Sequence, residues 1–125
     1  MYSTFLVMVG GAFGAASRYH LGRAAGTYFG YSFPFGTLMA NIAGGLAMGL
    51  LAGWLTRIGD SSEPWRLFLA VGFLGGFTTF SAFSLETFNM VERGQFGLAA
   101  GYTLISVFGS VFALFLGIFL IRQIT

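Results

Sequence analysis

The chain has 125 residues, 56% hydrophobic and only 8% charged, with a mean hydropathy of +0.81 and a formal net charge of +2. Soluble domains carry roughly 25% charged residues, so this composition excludes an ordinary water-soluble fold and places the chain in a membrane. With no cysteine and one histidine it also excludes disulfides, thiolate sites and a transition-metal centre, and so small and scattered a charge excludes a nucleic-acid surface.

The charged residues leave four uncharged gaps, 1–17, 24–56, 67–85 and 94–121. A crossing helix needs about 20 apolar residues. The expectation is therefore an all-α integral membrane protein, a single transmembrane domain over 1–125 with four spans near 4–27, 35–56, 65–91 and 96–122. The start reads as a first span and not as a cleavable signal, because no basic residue precedes the apolar run and Arg18 follows it.

In the first span Gly10, Gly14, Arg18 and Gly22 recur at every fourth position. His20, beside Tyr19, reads as an interfacial residue with no assigned role. The second span holds Asn41 in mid-stretch, where an amide must find partners, and Gly45, Gly49 and Gly53 behind it. Small residues at this spacing let helices approach closely, and packing drives association in lipid. The following loop, 57–66, reads as a solvated turn with Pro64 near a helix start, flanked by Trp54 and Trp65 as interfacial anchors.

The third span carries the most informative segment, GGFTTFSAFS over Gly75–Ser84. Two adjacent glycines weaken helix, and four hydroxyls need partners. Irregular backbone at membrane depth survives only when packed in protein or lining a wet path, so a break is expected at this glycine pair. In the fourth span Tyr102, Ser106 and Ser110 recur every fourth residue and form one polar stripe, alongside a small-residue row of Gly101, Gly109, Ala113 and Gly117. Any single hydroxyl can instead bond back to the carbonyl four residues earlier. Three polar groups at similar depth on three helices favour a shared polar path.

All six basic residues are arginines. Four spans would put Arg57, Arg66 and Arg122 on one side and Arg18, Arg23 and Arg93 on the other. The positive-inside rule then prefers neither orientation. Insertion both ways is expected, with opposite copies pairing about a two-fold axis in the membrane plane.

Asn41 and the hydroxyls offer neutral donors along the path. Phe80 and Phe83, three apart, share a face where the chain is helical. A ring presented edge-on attracts an anion and one presented face-on a cation. The absence of acidic residues around the break, with Glu86 about one turn beyond Ser84, tips the reading toward an anion. An unwound helix also exposes carbonyls able to coordinate Na⁺. Isolated carboxylates and a single histidine assemble no enzyme centre. Two rival readings are a proton-coupled antiporter of cationic drugs using Glu86, and a non-conducting scaffold subunit. Glu86 itself is expected to pair with an arginine or water near the membrane edge.

The segments GGAFGAASRY (10–19), FGTLMANIAGG (35–45), VGFLGGFTTFSAFSLET (71–87) and YTLISVFGS (102–110) resemble the CrcB/Fluc fluoride channels in order and spacing, over essentially the whole chain. Met39 and Phe77 stand where other members often carry smaller or aliphatic residues. The resemblance implies a multi-pass protein of the bacterial inner membrane that passively exports fluoride. It further implies an antiparallel dual-topology homodimer with two pores and a structural Na⁺ at the interface. Carried over by motif position, Gly75 and Thr78 would give carbonyls to Na⁺, Phe80 and Phe83 would meet fluoride with ring edges, and Asn41 would donate to the ion. Tyr102, Ser106 and Ser110 would form a polar track, and Arg18 would stand at the vestibule.

Overall fold

A computed structural model describes residues 1–124, which are helical apart from short connections and contain no strand. Helix α1 spans Tyr2–Phe29 and α2 spans Phe35–Ile58, each slightly longer than its expected span. A 3₁₀ turn, Gly59–Ser61, leads into the short α3, Ser62–Trp65. A stretch with wide, π-type turns follows over Arg66–Leu74, then α4, Gly75–Phe77. The chain breaks at Thr78 and Thr79, resumes as α5 over Phe80–Glu92, and ends in α6, Phe96–Ile124. Glycines follow the ends of α1, α2 and α5: Gly30, Gly59 and Gly94 hold φ of 80°, 61° and 75°, which L side chains rarely adopt.

Among the described residues two stretches are long and apolar enough to cross a bilayer: Phe35–Glu92, 58 residues with an 18-residue window of mean hydropathy 1.6, and Phe96–Ile124, 29 residues with a window of 2.6. The first is interrupted by the turn at 59–61 and the break at 78–79, so it is not one straight rod. The outer surface is apolar. On α6, Phe108, Phe112, Phe115 and Phe119 lie three or four residues apart, all exposed. Such a stripe is untenable in water but costs nothing among lipid tails.

The glycine rows bring backbones together. A Cβ on Gly45 would stand 2.5 Å from the Ser110 carbonyl oxygen, and one on Gly49 would strike that of Leu114. From the other side, a Cβ on Gly117 would stand 2.5 Å from the Leu46 carbonyl oxygen. Helices α2 and α6 therefore pack backbone to backbone. Gly10 and Gly14 do the same for α1 against the π-type stretch, where added Cβ atoms would strike the Phe68 and Phe73 carbonyls. Gly101, placed in the α6 row by its spacing, has nothing within 4 Å of its would-be Cβ and takes no part. Side-chain packing concentrates at one end, where Leu38, Phe83, Met90, Ala99 and Tyr102 form a buried cluster.

At the opposite end the rings of Trp54 and Trp65 meet edge to face, 5.9 Å apart, and the exposed Arg66 pairs with Glu63 at 2.9 Å. Tyr19 and His20 also meet edge to face, at 5.4 Å.

Candidate functional site

The break lies after the glycine pair, not at it. Gly75 keeps helical angles (φ −60°, ψ −40°), whereas Thr78 (φ −87°, ψ 159°) and Thr79 (φ −153°, ψ 121°) are extended. Threonine tolerates extended backbone well, and polar side chains fix it there. Thr78 Oγ1 donates back to the Leu74 carbonyl at 2.9 Å, which the Thr78 N–H also reaches at 3.0 Å. Asn41 grips the next residue on both sides: its Oδ1 accepts from the Thr79 N–H at 2.8 Å and its Nδ2 donates to the Thr79 carbonyl at 3.0 Å. Thr79 then caps α5, its Oγ1 accepting from the Ala82 N–H at 3.1 Å.

These diversions leave carbonyls behind. In a continuous helix the Gly75, Gly76 and Thr78 oxygens would accept from the N–H groups four residues on. The Thr79 N–H goes to Asn41 and the Ala82 N–H to Thr79 Oγ1 instead. Arg18 Nε donates to the Gly76 carbonyl at 3.4 Å, across from α1. The Gly75 and Thr78 carbonyls have no donor among the described residues. Oxygens stripped of donors beside a helix break suit a hard alkali cation, the group that the family resemblance implies for these two residues.

Beside the break lies a cavity of about 400 Å³. Its lining brings together Asn41 from α2, Thr78 and Thr79 from the break, Phe80 and Phe83 from α5, and Ser106 and Ser110 from α6. The sequence-derived residues on three chain segments thus share one space. The rings of Phe80 and Phe83 are 5.5 Å apart and tilted by 49°. Phe83 is buried against Tyr102, centroids 5.2 Å apart, while Phe80 is 77% exposed on this single chain.

Four hydroxyls near the break are spent on their own helices. Thr78, Ser84, Thr87 and Thr103 each bond back to the carbonyl four residues earlier, at 2.9 Å. Ser106 and Ser110 do not. Both oxygens are buried, line the cavity, and have no hydrogen-bond partner. A buried hydroxyl without a partner costs about 1–3 kcal/mol, so these two stand ready for something that enters.

Tyr102, the third member of that stripe, is committed elsewhere. Its hydroxyl donates to Glu86 Oε1 at 2.8 Å, and Thr37 Oγ1 donates to Glu86 Oε2 at 2.9 Å. Glu86 is therefore held by two hydroxyls, and no arginine pairs with it among the described residues. The pairing draws Thr37 into the site, a residue sequence reasoning missed; its spacing of one turn before Asn41 on α2 was the available signal. Glu86 borders a second cavity of about 300 Å³ with Asn89 and Arg93. Arg18 and Arg23 border a third of about 250 Å³, and Thr37, Tyr31, Gly22 and Gly36 line both. The three arginines expected on one side of the membrane thus border two adjoining cavities, with Arg18 also reaching inward to the break.

The sequence matches the family model for CrcB-like protein, Camphor Resistance (CrcB), over residues 5–118. It is similar to proteins named "Fluoride-specific ion channel FluC" from Sphingopyxis alaskensis, 52% identical over 124 residues covering 99% of this chain and 98% of that one, and from Phenylobacterium zucineum, 53% identical over 125 residues covering 99% and 98%. "Fluoride-specific ion channel FluC 2" from Nitrobacter hamburgensis is 49% identical over 120 residues, covering 96% of this chain and 97% of its own. A family match across nearly the whole length, on a chain whose family-bearing segments converge on one cavity, leaves no competing assignment: this chain belongs to the CrcB-like family.

Proposed function

We propose that the chain is a fluoride-selective channel of the bacterial inner membrane, a multi-pass protein that lets F⁻ leave the cytoplasm passively. The relatives named as fluoride-specific channels support the ion. The observation that carries the site is the pair of buried, unpartnered hydroxyls of Ser106 and Ser110 facing the same cavity as Phe80, Phe83 and Asn41.

Stripping an anion of water in a bare apolar medium costs tens of kcal/mol, so a pore must replace the hydration shell with donors. Ser106 and Ser110 can turn their hydrogens toward the ion because no protein acceptor claims them. The Asn41 amide has two hydrogens and gives one to Thr79, leaving the second for the cavity it lines. The rims of Phe80 and Phe83 add positive edges. Several moderate sites in a narrow file suit conduction, because each holds the ion without trapping it. Voltage supplies the direction. An interior-negative membrane favours anion exit by about 2.3 kcal/mol per 100 mV, roughly a fiftyfold gradient.

Four spans and two oppositely inserted copies complete the proposal. The even division of arginines, three at each end, supports dual insertion. Pairing across a two-fold axis covers the exposed Phe80 and brings the donorless Gly75 and Thr78 carbonyls of both copies toward one Na⁺. When bound, that ion supplies a fixed positive charge that satisfies these oxygens.

The antiporter reading is disfavoured by the environment of Glu86, whose two oxygens accept from Tyr102 and Thr37. The test is fluoride efflux from liposomes holding the purified protein. Rapid fluoride release with chloride retained is the expected result. Vesicles that keep fluoride, or that lose chloride equally fast, overturn the proposal.

A further inference from the structure

We infer that Arg18 is a positioning residue: by taking the Gly76 carbonyl, it holds the break in the form that leaves the Gly75 and Thr78 carbonyls open to a cation. The inference rests on the sodium reading above. Three freed carbonyls cluster within four residues of the break, and Arg18 Nε takes the middle one, at 3.4 Å. The contact spans two helices and is built from both sides. Gly76 is pressed on α1 so closely that a Cβ there would stand 2.6 Å from the Gly11 carbonyl oxygen and 3.1 Å from the Ala15 nitrogen. Gly11, Ala15 and Arg18 follow each other by four and three residues, so one face of α1 both makes room for the Gly76 backbone and presents the donor to it. A carbonyl at the C-terminal end of a helical segment carries partial negative charge, which favours a cationic donor.

Without that donor, the Gly76 oxygen has its ordinary helical partner waiting, the N–H of Phe80 at the first position of α5. Making that bond runs α4 on into α5. Closure returns the Thr79 and Ala82 N–H groups to the Gly75 and Thr78 oxygens, and the open pair disappears. An arginine acting through its charge alone has the opposite effect on the same site. A positive group repels Na⁺, so removing it strengthens cation binding. The two roles therefore predict opposite signs.

The bonding atom is Nε, which permits variants matched in chain length. Arg18→Gln places an amide N–H at the same number of bonds from the backbone and removes the charge. Arg18→Met fills the same length with no donor. Arg18→Lys keeps the charge but puts a methylene where Nε was. The experiment is calorimetric titration of NaCl into detergent-purified full-length protein prepared in N-methylglucamine chloride. R18M is expected to weaken Na⁺ binding about tenfold, the value of one hydrogen bond to a charged donor. R18K weakens it as well, while R18Q binds Na⁺ as the unsubstituted protein does or more tightly. R18K preserves the charge and so serves if R18M is not recovered folded. Undiminished Na⁺ affinity in either R18M or R18K overturns the inference. Absence of any Na⁺ binding to the unsubstituted protein instead removes the sodium reading itself, and this inference with it.

Discussion

Ser106 and Ser110 separate conduction from stability more cleanly than any other residues. Their hydroxyls hold nothing in the protein, so Ser106→Ala and Ser110→Ala lose no internal bond and relieve an unmet group. Stability against SDS unfolding should stay level or rise by up to about 1–3 kcal/mol, while fluoride efflux falls. Loss of both together would mean that the serines serve packing. Phe80 and Phe83 make a second test: exchange for isoleucine keeps bulk but removes the ring edge. One edge contact of about 1 kcal/mol lost per variant makes a flux loss of roughly fivefold in each the expected outcome. Undiminished efflux from both variants removes the rings from the path. Asn41→Asp retains an acceptor for the Thr79 N–H but sets a carboxylate against the Thr79 carbonyl and the anion. It is expected to conduct less than Asn41→Ala in the same efflux assay. Sequence alone put these residues on the right segments, because a buried polar side chain in an apolar run always requires a partner. It could not say which hydroxyls would bond back to their own helix, since that is decided by rotamer and neighbour; Tyr102, in register with the serines, turned instead to Glu86.

At the scale of elements, the long helices follow from composition, and the ends of α1, α2 and α5 from Gly30, Gly59 and Gly94. The break did not follow from glycine content. Gly75 and Gly76 stay helical, Gly76 with its bare backbone pressed against α1, and the unwinding falls to threonines that Asn41 can grip. Such a cross-helix bond connects residues 38 positions apart and leaves no trace in local spacing. The wide turns over Arg66–Leu74 were equally hidden, set by the approach of Gly10 and Gly14 from α1. Where backbones touch, replacement is costly. Gly49→Ala drives a methyl group into the Leu114 carbonyl and should destabilise the α2–α6 pair by about 1–3 kcal/mol in SDS unfolding. Gly101→Ala, with open space around it, serves as the neutral control.

For the whole molecule, the arginine balance makes a topological prediction. Reporters fused at the C-terminus, one active in each compartment, should both give signal. Adding two lysines to the 59–63 turn should then lock one orientation and abolish conduction, which mixing with a chain locked the other way restores. A signal from one compartment alone would dismiss the antiparallel pair. The two idle hydroxyls in the interior carry a consequence for heat. Whatever small anion satisfies them binds the folded chain and finds no equivalent in the unfolded one, so the melting temperature becomes a function of dissolved halide. At a hundredfold excess over its dissociation constant, fluoride would add about 2.7 kcal/mol, visible as a rise in thermal midpoint that equimolar chloride fails to reproduce.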